Sequence, residues 1–233
     1  MKLTNITFTG IDMSIDIKRL FKIQQKYPIA EFGVLVSFNS ASNGNRYPDM
    51  DLFDSTFWHE INLSMHVCGK AADCILQGQW WKAALLAKDN EHKFRRMQLN
   101  IANRTPNLAA PINLPYYIKE LIIQQKDINK FGQYSQILSN AEDKNKISVL
   151  IDPSGGTGKY QPIKIPEGIK KFGCAGGLNH YNIGNVLEKL LTTPGNQEFW
   201  LDMETSVRTN EWFDLDKVEM ILEICQDVIN KHK

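Results

Sequence analysis

The chain has no run of about eighteen apolar residues, which excludes a membrane-spanning helix as an expectation. Its opening, MKLTNITFTGIDMSIDIKRLF, turns polar and charged within a dozen positions and lacks the apolar core of a secretory signal. Net charge is also missing. Lys and Arg number 27 against 26 Asp and Glu, with no basic stripe, so neither a nucleic acid nor a membrane is expected as partner. Cysteine is sparse. Cys68, Cys74, Cys174 and Cys225 lie too far apart for paired CxxC metal half-sites, and four in 233 residues make no disulfide framework. Reduced thiols, no metal and a cytoplasmic location are the expectations.

What the chain does have is alternation of strand and helix patterns. Strands are read at Ile6–Gly10, Gly33–Val36, Leu63–Gly69, Phe94–Ile101, Glu120–Gln124, Val149–Ile151, the residues before Cys174, and Phe199–Glu204. Helical spacing appears at Ile17, Leu20 and Phe21, stopping before Tyr27-Pro28. It returns from Phe57-Trp58 and Ile61, from Ala71 to Leu86 with Trp80-Trp81 packing on a neighbouring helix, and at Phe131, Tyr134, Ile137 and Leu138. Ile183, Val186, Leu187, Leu190 and Leu191 form a clean stripe, and Val218, Ile221, Leu222 and Cys225 form the last. Eight such units without a linker predict an α/β fold, a closed (β/α)8 TIM barrel, as one domain over residues 1–233.

In such barrels the strand C-termini build the site. Alternation puts His66 and Cys68 on one face, Gln98 and Asn100 on another, and Asp202 and Glu204 on a third; Gln124 and Asp152 end their strands. One pocket accounts for so many polar strand ends, because buried polar groups are costly unless paired. His66 and Cys68 are titratable and suit proton transfer, or else are a hydrogen-bonded core histidine beside an inert thiol. Asp152 leads into Gly155-Gly156-Thr157-Gly158-Lys159, and a second glycine turn is Cys174-Ala175-Gly176-Gly177. Glycine lets consecutive N–H groups turn toward an anion, so Gly155, Gly156, Thr157, Gly158, Gly176 and Gly177 are candidate phosphate ligands. A Walker A loop is excluded, since its first glycine would fall at Pro153 and its hydroxyl residue at Tyr160.

LIDPSGGTGK followed by GCAGGLNHYNIGNV resembles phosphoribosylanthranilate isomerase, whose strands six and seven end in an Asp-to-GGTGK loop and an AGGLxxxNV loop. The resemblance covers most of the chain and is strongest from about Ser148 to Val218. It implies an Amadori aldose–ketose isomerisation of a small phosphorylated sugar amine, without cofactor, by a monomer or homodimer. Asp152 matches the family's acid. Thr9 stands where its strand-one KxCG motif has the cysteine base, so the resemblance leaves the base to His66, Cys68 or Asp12. Arg46, in Arg46-Tyr47-Pro48, matches the arginine that holds the substrate carboxylate, or is a plain surface loop. Gln98, Asn100, Gln124, Asp202 and Glu204 are expected to bind substrate. The family's strand-eight SSGVE loop appears as Glu204-Thr205-Ser206-Val207-Arg208, where Arg208 is expected to reach phosphate in place of a lost glycine amide. Three readings stay open: this isomerase with a relocated base, a phosphate-binding barrel with other sugar-phosphate chemistry, and a non-catalytic binding protein on the same scaffold.

Overall fold

Eight parallel strands close on themselves in sequence order: β1 (Lys2–Thr9), β2 (Ala30–Val36), β3 (Leu63–Cys68), β4 (Phe94–Asn100), β5 (Glu120–Gln125), β6 (Ile147–Ile151), β7 (Lys171–Cys174) and β8 (Glu198–Met203), with β1 paired to both β2 and β8. This is a computed structural model, and it describes residues 1–38, 45–101, 112, 114–126, 132–155 and 157–232. The expected eight-stranded α/β barrel is the fold observed. Six α-helices surround it among the described residues: α1 (Ile17–Lys26), α2 (Lys70–Leu76), α3 (Trp81–Leu86), α4 (Gly132–Asn140), α5 (Ile183–Thr192) and α6 (Leu215–Lys231). A two-stranded ribbon, β9 (Arg208–Thr209) with β10 (Trp212–Phe213), lies between β8 and α6.

Two connections differ from the sequence reading. No α-helix follows β2 among the described residues; Met50–Asp54 and Thr56–Glu60 form short 3-10 turns. These turns bury Phe53 and Trp58 against each other at 4.6 Å, and the Trp58 indole donates to the Leu52 carbonyl at 2.7 Å. A wedge of two aromatics thus does the covering that a helix does elsewhere. The expected helix from Ala71 to Leu86 breaks into α2 and α3, because Gly78 takes φ +83° and interrupts the ladder. Trp81 is 63% exposed rather than packed on a neighbouring helix. Between β6 and β7 the described residues are irregular, with Ile163, Ile165 and Ile169 packed on the core.

Strand alternation sorts the barrel interior into levels. At the N-terminal end Arg96 is buried between Glu31 and Glu120, at 2.8 Å from each, with Ser148 and Lys171 also on Glu120. Above it an apolar layer of Ile122, Leu150, Ala175 and Trp200 plugs the barrel. Gly173 makes room for that plug, since a Cβ there would sit 2.2 Å from the Trp200 ring. Two residues beyond Ile122, Leu150 and Trp200 come Gln124, Asp152 and Asp202 at the C-terminal mouth, and Gln98, two residues past Arg96, lines the same space. Among the described residues no helix is long and apolar enough to cross a membrane.

Candidate functional site

The mouth is a cavity of about 370 Å³, whose wall includes Thr9, His66, Gln98, Asn100, Gln124, Asp152, Asp202 and Glu204 from the strand ends. Gly158, Gly176, Gly177, Ser206 and Lys217 line it from the loops after β6, β7 and β8 and from the first turn of α6. Apart from Cys68, the polar strand ends expected at the site therefore meet in one space together with Gly158, Gly176 and Gly177.

Asp202 is the carboxyl that burial moves toward neutral pH. It is buried, and its Oδ1 accepts from the Thr9 hydroxyl at 2.7 Å. Burial pushes its carboxyl up to about 7, the Thr9 hydrogen bond pulls the other way, and the nearby carboxylates of Glu204, Glu31 and Asp152 add to the rise. Gly33 permits this contact. A Cβ on residue 33 would lie 2.6 Å from Thr9 Oγ1 and 2.9 Å from His66 Nε2.

His66 behaves differently from expectation. Burial drives its pKa down to about 3, and the Arg96 guanidinium adds to the drop, so the ring is neutral at physiological pH and does not titrate near neutrality. Gln98 Nε2 donates to Nδ1 at 3.1 Å, which leaves Nε2–H to donate to Ser64 Oγ at 3.0 Å. The Gln98 amide is fixed by two acceptors on its nitrogen, His66 Nδ1 and Asn100 Oδ1 at 3.0 Å, and its Oε1 is buried without a partner among the described residues. Asp152 accepts from the Ser154 amide at 3.1 Å and the Ser154 hydroxyl at 2.6 Å on Oδ1, and from Gln124 Nε2 at 3.0 Å on Oδ2. Three donors hold it facing the cavity.

Several expected ligands are occupied elsewhere. Asp12 is fully buried in an ion pair with Arg208 at 2.6 Å, and it also accepts from Ser14 and the Phe213 amide. Arg208 further donates to the Gly10 carbonyl at 2.6 Å. This pair ties the loop after β1 to the β9–β10 ribbon, and neither residue lines the cavity; a substitute base at Asp12 and a phosphate contact from Arg208 are not what the geometry offers. Arg46 pairs with Glu204 at 2.8 Å and Glu211 at 3.4 Å. Cys68 sits beside the cavity, accepting from Asn100 Nδ2 at 3.2 Å. Cys174 is fully buried, and burial pushes its thiol up, out of reach of acid–base work.

The glycine loops divide in the same way. The Gly155 amide donates to the Asp152 carbonyl at 3.0 Å and the Thr157 amide to the Ser154 carbonyl at 3.4 Å, so these two shape the turn. Gly156 lies outside the described residues. The amides of Gly158, Gly176 and Gly177 have no hydrogen-bond partner among the described residues and stand at the cavity wall. Gly176 and Gly177 take φ +95° and +71°. A Cβ on Gly177 would fall 2.1 Å from the Tyr160 amide nitrogen, so the loops after β6 and β7 are interlocked there. Ser206 Oγ is buried without a partner among the described residues, and Lys217 Nζ donates to the Arg208 carbonyl at 2.5 Å just beyond it. Sequence reasoning misses Ser154, Ser206 and Lys217 as site residues. Asp152-Pro153-Ser154 carries a local signal for the first, a carboxylate two residues before a hydroxyl; Lys217 reads in sequence as the solvated side of α6.

No protein-family model matches the chain, and no curated protein matches it in sequence. Among solved structures it is similar to N-(5'-phosphoribosyl)anthranilate isomerase from Pyrococcus furiosus, with a TM-score of 0.53 and 16% identity over 96% of this chain and 99% of that one. At that identity the likeness carries the barrel fold alone.

Proposed function

We propose that the protein is a cytoplasmic enzyme, monomeric or homodimeric, that isomerises a small phosphorylated sugar or sugar amine by moving a proton between carbon and oxygen, with Asp202 as base and Asp152 as acid. The observation that carries this reading is the dry carboxyl of Asp202 against Thr9, held near neutrality in a cavity that also contains Asp152. A base is most effective when its pKa lies near the working pH, because it then takes a proton and gives it back at little cost.

In the phosphoribosylanthranilate isomerase family that this chain resembles, the base stands at the end of strand one, where this chain has Thr9. A threonine hydroxyl is far too weak a base to act alone. β1 and β8 are neighbours, with Thr7 opposite Asp202, so the end of β8 reaches the same part of the cavity. Asp152 would give its proton to the ring oxygen as the C1–O bond breaks, leaving an aldehyde or iminium; Asp202 would then take the proton on the adjacent carbon C2, the C–H pair forming the enol or enamine, and protonation at C1 with loss of the enol O–H proton gives the ketose. The phosphate would rest on the unpaired amides of Gly158, Gly176 and Gly177, with Lys217 beside them.

Solvent exchange tests this across a panel of candidate substrates. Phosphorylated aldoses and aldosylamines incubated with the protein in deuterated water should take up deuterium at the carbon beside the carbonyl, observed by proton NMR. The rate should rise with pH through about 7 and fall by about a hundredfold or more in Asp202→Asn. Binding of inorganic phosphate with no exchange into any such compound refutes catalysis and leaves a binding protein.

A further inference from the structure

We infer that the ligand's phosphate is a bridging one, with the sugar on its inner side and a nucleoside on its outer side, whose base lies on Tyr181 and His180 at the rim of the cavity. The inference rests on the proposed phosphate site and adds what the ligand carries beyond it.

The cavity is ordered by depth. Asp152 and Asp202 stand at its floor, 4% and 6% exposed. Gly176 and Gly177 follow, partly buried, and Tyr181 at the edge is 84% exposed. All of them line one space. A ligand whose sugar reaches the two carboxyls and whose phosphate meets the glycine amides therefore meets Tyr181 next on the way out.

Tyr181 is held, although its ring is open to solvent. The side-chain amides of Asn179 and Asn182 both donate to the Gly177 carbonyl, at 3.1 and 2.9 Å. Asn182 Oδ1 accepts from the Asn179 amide and Asn179 Oδ1 from the Tyr181 amide, each at 2.9 Å. One turn thus fixes Gly177 and Tyr181 together, with the Gly177 carbonyl drawn into the turn and its N–H left at the cavity wall. The anion donor and the ring keep a constant spacing.

The Tyr181 ring packs against His180, with centroids 3.8 Å apart and planes inclined at 43°, and both side chains line the cavity. So exposed a ring adds little to the core. A fixed aromatic surface beside an anion site suits a nucleoside, because every base has a flat face that stacks on such a ring. The Tyr181 hydroxyl and the His180 ring nitrogens add donors and acceptors, which the edge of a base can use and a plain hydrocarbon ring cannot.

Calorimetry tests this with inorganic phosphate, ribose 5-phosphate, AMP and ADP-ribose. AMP adds adenine to the sugar and phosphate of ribose 5-phosphate, so it should bind about tenfold or more tightly, as expected of one stacked base. ADP-ribose, which has a sugar on the inner side of its diphosphate, should bind at least as tightly as AMP. Tyr181→Ala should bring AMP down to the affinity of ribose 5-phosphate and Tyr181→Phe should not, with inorganic phosphate unchanged in both. AMP binding no tighter than ribose 5-phosphate overturns the inference, as does a Tyr181→Ala protein that keeps the full difference or weakens inorganic phosphate in equal measure. Binding of AMP without ADP-ribose makes the phosphate terminal and overturns it too. In each of these outcomes native binding of inorganic phosphate leaves the phosphate site standing. If inorganic phosphate fails to bind the native protein, that site is itself wrong and the inference falls with it.

Discussion

Replacing Asp202 by asparagine should make the protein more stable at alkaline pH and leave it nearly unchanged in acid. Folding buries this carboxyl and lifts it from its ordinary 3.8 to about 7. Below about pH 3 it is protonated in both the folded and unfolded chain, and it imposes no penalty. As pH rises the unfolded chain ionises first, so stability is lost progressively until the folded carboxyl also ionises near 7. At about 1.36 kcal/mol per pH unit the full loss is about 4 kcal/mol. The substituted asparagine keeps the Thr9 hydrogen bond through its own amide oxygen but never ionises. Urea unfolding of the two proteins, followed by tryptophan fluorescence between about pH 4 and pH 8.5, should therefore show a gap that opens in favour of Asp202→Asn and levels off above neutrality. His66 acts with the opposite sign. Its folded pKa of about 3 lies below the ordinary 6.5, so the stability it contributes is present above 6.5 and is lost as pH falls toward 3. Burial and Arg96 set that drop and Asp202 has no part in it, so it cancels in the difference. A gap that is constant with pH, or that opens toward acid, refutes the assignment of a dry carboxyl at position 202.

Thr9→Val removes the donor to Asp202. It should cost about 1.5–3 kcal/mol above neutral pH, where the carboxylate is the acceptor, and shift the rising limb of any pH–rate profile to higher pH. Gly177→Ala should cost at least about 3 kcal/mol, combining left-handed backbone with a Cβ 2.1 Å from Tyr160, whereas Gly158→Ala, whose Cβ meets Thr205 at 3.5 Å, should cost only about 1–2 kcal/mol; equal losses in denaturant would contradict the interlocked loops. Arg96→Met strands Glu31 and Glu120 and should cost about 3–5 kcal/mol, most of it recovered when both glutamates are also changed to glutamine. Failure of that recovery would mean the arginine's contact with Trp200, 4.4 Å from its ring, matters more than its charge.

The barrel is legible in the sequence because each strand carries its own period. Ser64, His66 and Cys68, and Arg96, Gln98 and Asn100, alternate with apolar residues, and a polar interior face at two levels follows from counting by twos. The helices are less legible where tertiary packing does the work. Phe53 and Trp58 fill the gap over β2 without a helix, and no helical stripe distinguishes that from a helix start. At the site, residue types are readable while their states are not. Asp202 and His66 are both polar strand ends in the sequence, and only burial separates their chemistry, lifting one to about 7 and depressing the other to about 3. Asp12 and Arg208, 196 residues apart, each look available until closure of the chain pairs them.

Under the function proposed above, that same closure would let Asp202 on β8 act as base beside Thr9 on β1. Neighbouring strand ends open on one shared pocket, so a chemical role can move sideways by one strand while the fold is unchanged. The move has two requirements, both met by residues near Thr9. The carboxyl must be dry enough to hold a proton near neutrality, which the Trp200 layer beneath and the walls around Asp202 provide. It must also be oriented, which the Thr9 hydroxyl does at 2.7 Å. Gly33 is then as important as either. Any side chain there would displace Thr9 Oγ1 and crowd His66, so Gly33→Ala should unseat Asp202 and abolish its near-neutral titration, although residue 33 has no chemistry of its own. Carbon-13 NMR of labelled aspartate follows that titration directly, and a carboxyl still titrating near 7 in Gly33→Ala would refute the part given to this glycine.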